Sequence, residues 1–155
     1  MESAFQQSLN EQKQYSGRKI GVIPMAAKPF HAGHMFLIDM ASNENDEVIV
    51  FVSLTDRTRS GEFPVYGSQM KQVWNEHLSR IMPKNVNIDL MGEGEQPVKA
   101  VYELLADANE VGSKNIFNVY SDPQDTQNNY SVANRLKYFG DLYNNGNVRF
   151  VGEEN

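Results

Sequence analysis

The sequence predicts an α/β fold, a doubly wound parallel sheet of five strands. Two patterns carry this. Five short apolar runs recur along the chain, and each pair is separated by a helical pattern. Strands alternating with helices of about 10–15 residues imply right-handed crossovers and a sheet covered on both faces. No internal repeat, low-complexity tract or linker interrupts the alternation.

Each element has its own warrant. Lys19–Met25 (KIGVIPM) is a short apolar run that reads as a buried strand. Residues 33–43 place Met35, Phe36, Ile38, Met40 and Ala41 on the apolar face of a helix. Residues 46–54 (DEVIVFVSL) are rich in β-branched side chains and read as a strand. Residues 55–67 form a loop containing Pro64. Residues 68–82 set Met70, Val73, Trp74, His77, Leu78 and Ile81 at helical spacing. Val86, Ile88 and Leu90 alternate within a strand over 85–91, and residues 92–96 form a Gly-rich, acidic turn without the lysine of a P-loop. Pro97 suits the first turn of a helix over 97–111. Residues 114–120 (KNIFNVY) are a strand and 121–129 a polar loop. A helix over 130–143, with a break expected at Gly140, leads to a last strand, 147–151 (NVRFV).

The 155 residues suit one domain with a full core. Residues 1–18 form a polar arm carrying Phe5, Leu9 and Tyr15, and residues 19–155 form the α/β domain. The net charge is −6, which argues against coating nucleic acid or an anionic membrane by bulk charge. The absence of cysteine excludes disulfides, thiolate zinc sites, iron–sulfur clusters and a cysteine nucleophile. The longest apolar runs are a few residues, far short of the ~20 that span a bilayer, and the polar N-terminus is not a signal peptide.

Ligands of doubly wound sheets sit at the carboxyl ends of the strands, where strand order reverses. The loop after the first strand reads Pro24-Met25-Ala26-Ala27-Lys28-Pro29-Phe30-His31-Ala32-Gly33-His34. Two histidines flank Ala-Gly where a helix begins, and the open N–H groups of a helix start suit an anion. Gly33 lets a phosphate approach the backbone, its amide is expected to face the cleft, and Lys28 adds a point charge. No third histidine or cysteine is placed to complete a zinc site, so no metal ligand set is expected. His77, among Met, Val, Trp and Leu, reads as a core or boundary histidine.

PFHAGH resembles the H-x-G-H signature of the nucleotidylyltransferase superfamily, and its strand–loop–helix setting strengthens the likeness. IPMAAKPFHAGH, YSDPQD and KYFGDLYNNG are similar to cytidylyltransferase-like proteins of tailed bacteriophages. The resemblance implies a Rossmann-like nucleotidylyltransferase fold, and an enzyme that moves a nucleoside monophosphate from ATP or CTP, with Mg²⁺, to a small phosphorylated acceptor. Pyrophosphate leaves in line and no covalent enzyme intermediate forms. By the same resemblance His34 touches the α-phosphate, while His31 and Lys28 hold the β- and γ-phosphates. Phe30 and Gly33 belong to the nucleotide-binding set, and the implied location is cytoplasmic, that of the host if the chain is phage-encoded.

The remaining loops add candidates. Arg57 and Arg59 follow the second strand and suit a phosphate on either substrate. Asp122, after the fourth strand, is a candidate for a ribose or a metal, and Asp125 reads as turn chemistry. The family's second motif, S-[ST]-T-x-x-R after the fifth strand, is not found within residues 1–155. Two explanations stay open: the sequence is a fragment whose next segment holds the motif, or it is a short relative that kept the fold and lost catalysis, acting as a phage structural or interaction module in the virion or a host complex. Residues 1–18 are then the expected contact with a second copy or a phage protein.

Overall fold

Five strands, β1 (Lys19–Met25), β2 (Glu47–Val52), β3 (Val86–Leu90), β4 (Ile116–Tyr120) and β5 (Val148–Val151), pair in the order β3-β2-β1-β4-β5. Every pairing is parallel, with Val22 of the central strand opposite both Ile49 and Val119. This is a computed structural model, and it describes residues 17–26, 30–55, 61, 64, 66–92 and 94–153. Most of the N-terminal arm, Lys28, Arg57 and Arg59 lie outside the described residues.

The chain leaves β1 in one direction toward β2 and β3, then returns to add β4 and β5 on the other side. The reversal falls between β1 and β4, and two layers of helix follow from it. On one face α1 (Ala32–Glu44) and α2 (Gly67–Val73) cover a core containing Ile23, Ile38, Val50 and Trp74. On the other, α4 (Pro97–Glu110) and α6 (Val132–Asn144) pack over Val22, Leu105, Val119, Phe139 and Phe150. Burying each such large side chain contributes about 1.5–3 kcal/mol.

Three expectations change. The helix expected over 68–82 is not uniform: α2 runs into a π-helical turn, Trp74–Leu78, and ends in a short α3 (Ser79–Ile81). A π turn takes in an extra residue. Met70, Trp74, Leu78 and Met82 therefore stay on the core side at a spacing of four. His77 and Ile81 rotate outward, and the His77 side chain is 73% exposed, so it is not a core histidine. Second, the polar stretch 121–129 is not a loop throughout but holds α5 (Pro123–Asn129), started by the N-cap Asp122. Third, the break in α6 falls at Phe139 (φ −147°, ψ 46°), one residue before Gly140.

Candidate functional site

A cleft of about 760 Å³ opens at the carboxyl ends of the central strands. Met25 at the end of β1, Ala26 after it, Ser53 after β2, Ser121 after β4 and Gly152 after β5 line it. It lies where strand order reverses, and its size is that of a small-ligand site. His34 from α1 forms part of one wall; Asp122, Asp125 and Asn129 from the α5 region and Tyr130 form part of another. Gln96, Pro97 and Val98, at the start of α4, also line it.

The start of α1 explains why His34 is where it is. His31 is the N-cap, with extended backbone (φ −141°, ψ 176°). Its Nδ1 accepts the Gly33 N–H at 3.0 Å, and its own N–H donates to His34 Nδ1 at 3.1 Å. The two imidazoles thus form a reciprocal capping box, a role usually taken by Ser or Thr with Glu or Gln. The His34 N–H donates to the His31 carbonyl at 3.0 Å. Amides expected to await an anion are therefore engaged by the protein, and the Gly33 amide does not face the cleft freely. Gly33 has a different use. A Cβ there would stand 2.9 Å from His31 Cε1 and 3.0 Å from Nδ1, so the glycine lets the His31 ring fold over the helix start.

Aromatic packing backs this turn. The Phe30 ring stacks on His34 with centroids 5.5 Å apart, and meets Trp74 edge-on at 5.2 Å. His31 and His34 lie 3.8 Å apart, centroid to centroid. The pKa of His34 is lowered, first by burial and then by the neighbouring His31. Near neutral pH His34 is an uncharged donor, not a point cation.

Residues 20–82 match the family described as the Citrate lyase ligase C-terminal domain. That family is a member of the nucleotidylyltransferase-like superfamily. The match covers less than half of the chain and runs from β1 through α3. It includes both histidines of the capping box and the whole of α1. A search of curated proteins finds no match.

The wall formed by α5 and Tyr130 lies beyond the matched residues. Asp122 Oδ1 accepts the Asp125 N–H at 2.8 Å, so Asp122, not Asp125, supplies the turn chemistry. That bond holds the Asp122 carboxyl below the usual carboxylate range. Burial, and then the neighbouring Asp122, raise the pKa of Asp125. Beside them Tyr130 is buried, and its hydroxyl has no partner among the described residues. Burial pushes the pKa of that hydroxyl up, so it stays protonated and able to donate.

Of the residues predicted from sequence, the structure brings His34 and Asp122 to the cleft. His31, Gly33 and Phe30 cluster around His34 but are not among the residues lining it. Tyr130, Asp125 and the start of α4 had not been singled out as site residues. For α5 a signal existed, because Asp-Pro is an N-cap followed by a first-turn proline. For Tyr130 none did, since a tyrosine at the edge of an apolar pattern reads as core.

Proposed function

We propose that the chain is a nucleotidyltransferase that passes a nucleoside monophosphate from ATP or CTP to a small phosphorylated acceptor. The supporting observation is the position of His34: on the first turn after β1, at the reversal of strand order, in the wall of a cleft. An oxygen of the acceptor phosphate attacks the α-phosphorus, the bond to the β-phosphate bridging oxygen breaks, and pyrophosphate leaves. The attacking group is already an anion, so no general base is required. The chemistry needs positioning and donors for the charge on the α-phosphate, and one well-placed donor contributes about 10²–10³ in rate. His34 is assigned that donor role. Lys28 and Arg57, by their places in the loops after β1 and β2, are assigned to the phosphates.

The cleft fits Mg²⁺ carried on the triphosphate. Among the described residues no group of three or more His, Asp or Glu is arranged to hold an ion alone. Mg²⁺ at such sites needs only one or two carboxylates beside the phosphate oxygens, and Asp122 and Asp125 would be those carboxylates. Bound there it would offset the charge of the triphosphate.

Calorimetric titration with MgATP and MgCTP tests the reading. Wild type is expected to bind one of them. His34→Ala is expected to lower the rate of pyrophosphate release more than affinity, because its partner is the developing transition state. A folded protein that gives no heat with either nucleotide would reject the enzyme and favour the interaction-module reading.

A further inference from the structure

Parallel sheets are ordinarily covered on both faces, and part of one face of this sheet is bare. Along β4 and β5, Phe117, Val119, Val148 and Phe150 lie in the core beneath α4 and α6. Successive strand residues point to opposite faces, so Asn118, Tyr120, Arg149 and Val151 point to the side that carries α1. Among the described residues, the helix that packs on β5 is α6, which lies on the opposite face. What stands on the α1 side is a groove, with β4 and β5 as its floor and one face of α1 as its wall. Its upper end is apolar, with Leu37, Met40, Tyr120 and Val151, and runs into the cleft. Phe36, 71% exposed, stands one turn from Met40 along α1. The lower end is a hollow of about 870 Å³, lined in part by Lys19, Asn43, Glu44, Asn118 and Arg149, and Val151 belongs to both ends.

We propose that residues 1–16 seat in this groove as a short helix, over β4 and β5 of their own domain. They are the longest stretch outside the described residues, and they join the domain at Gly17. The Gly17 N–H donates to the Lys114 carbonyl at 3.0 Å, so the chain enters between β1 and β4, at the polar end of the groove. Gly17 has φ +78°, a conformation open to glycine that lets the chain double back there. The reach fits: residues 3–14 as a helix rise about 18 Å, and a five-residue strand rises about 17 Å. The width fits too, since a helix about 10 Å across covers two strands about 4.8 Å apart. Phe5 and Leu9, four apart, form one helical face for Leu37, Met40 and Val151 in the apolar half. Residues 10–14 (NEQKQ) reach the polar half. There Glu11 brings a carboxylate toward Arg149, which is exposed and has no ion pair among the described residues. Because Leu37, Met40, Tyr120 and Val151 also line the cleft, the seated arm closes the cleft on that side. The docking itself does not rest on the nucleotide reading.

The test uses the full chain without nucleotide. The chain has no cysteine, so Gln7→Cys, on the helix side away from Phe5 and Leu9, gives one attachment point for a nitroxide. In the ¹⁵N-labelled chain the nitroxide should bleach the amide signals of Met40, Asn118 and Val151. It should spare those of Glu103 and Asp107, which lie in α4 on the other face of the sheet. Adding Phe5→Asp and Leu9→Asp to the same chain should restore the bleached signals, with Glu103 and Asp107 unshifted to show that the domain is still folded. A mixture of ¹⁵N-labelled wild type and unlabelled chain carrying the nitroxide separates the two sources of an arm. Bleaching of the groove in that mixture means that the arm of a second copy fills it, and overturns the proposal. So would bleaching spread over both faces, signals in the groove that the nitroxide leaves intact, or bleaching that persists in the chain with both arm substitutions.

Discussion

Replacing Gly21 by alanine tests the polar network that supports the cleft from beneath. Gly21 lies in β1, and a Cβ there would meet Asn45 Nδ2 at 2.8 Å, Asn45 Cγ at 3.2 Å and Tyr120 Cε2 at 3.3 Å. Asn45 is buried and cannot move without cost. Its Nδ2 donates to the Ala41 carbonyl and to the Tyr120 hydroxyl, both at 2.8 Å, and its Oδ1 accepts from Asn118 Nδ2 at 2.8 Å. Displacing it breaks three hydrogen bonds, each contributing about 1 kcal/mol net. Alanine returns about 0.5–1 kcal/mol of strand entropy relative to glycine. The net loss is therefore about 2–3 kcal/mol, or about 5–10 °C in Tm for a chain of this length. Urea denaturation of Gly21→Ala, Asn45→Ala and the double variant measures it. With Asn45 already alanine, the second substitution should be nearly neutral, because its main obstacle is gone. Equal destabilisation on both backgrounds, or no effect on wild type, would refute the reasoning. Tyr120 lines the cleft, so the same variant should also weaken nucleotide binding.

Further outcomes follow from other contacts. The lowered pKa of His34 means that the unfolded chain binds its proton more readily. The associated stability is complete above pH 6.5 and is lost as pH falls from there through the folded value. Urea midpoints against pH should show this loss in wild type, and His34→Gln should remove its share. Arg135 is 2% exposed, and its guanidinium meets the Glu153 carboxylate at 2.6 and 3.0 Å beneath the Phe150 ring. Glu153→Ala should cost about 1–3 kcal/mol by denaturation, less than for a fully buried pair because Glu153 is 41% exposed. An unchanged midpoint would mean that Tyr143 and the Tyr130 carbonyl suffice for Arg135. Trp74 is the single tryptophan and touches Phe30, which stacks on His34, so nucleotide binding should shift its fluorescence. Phe30→Leu should reduce that shift more than it reduces affinity, as titration with both readouts would show.

The sheet was legible because its strands are apolar where both faces are covered. KIGVIPM gave β1 residue for residue, and the β-branched run around Val48–Val52 gave β2 to within two residues. The π turn was not legible, since Met70, Trp74 and Leu78 at a spacing of four also fit an ordinary helix. α5 was missed because PQDTQNN offers no apolar periodicity, and its start is marked only by the Asp122 cap and the first-turn Pro123. At the site, the spacing of His31 and His34 marked the helix start after β1 but not the capping bonds between the two residues. Composition does not show which nitrogen of a histidine is occupied; that follows only from the backbone geometry at residues 31–34.

The central claim is that a nucleoside triphosphate occupies the cleft between His34 and the wall formed by Asp122 and Tyr130. Mapping backbone amide shifts of the full, isotopically labelled chain during titration with MgATP and MgCTP tests it most directly. Saturable shifts are expected at His34, Ser53, Ser121, Asp122 and Gly152, which come from four separate places in the chain and meet at the carboxyl ends of the strands. Residues at the opposite end of the sheet, such as Asn85 and Asn147, should stay still. Shifts confined to that opposite end, or no saturable shift with either nucleotide in a folded chain, would contradict it.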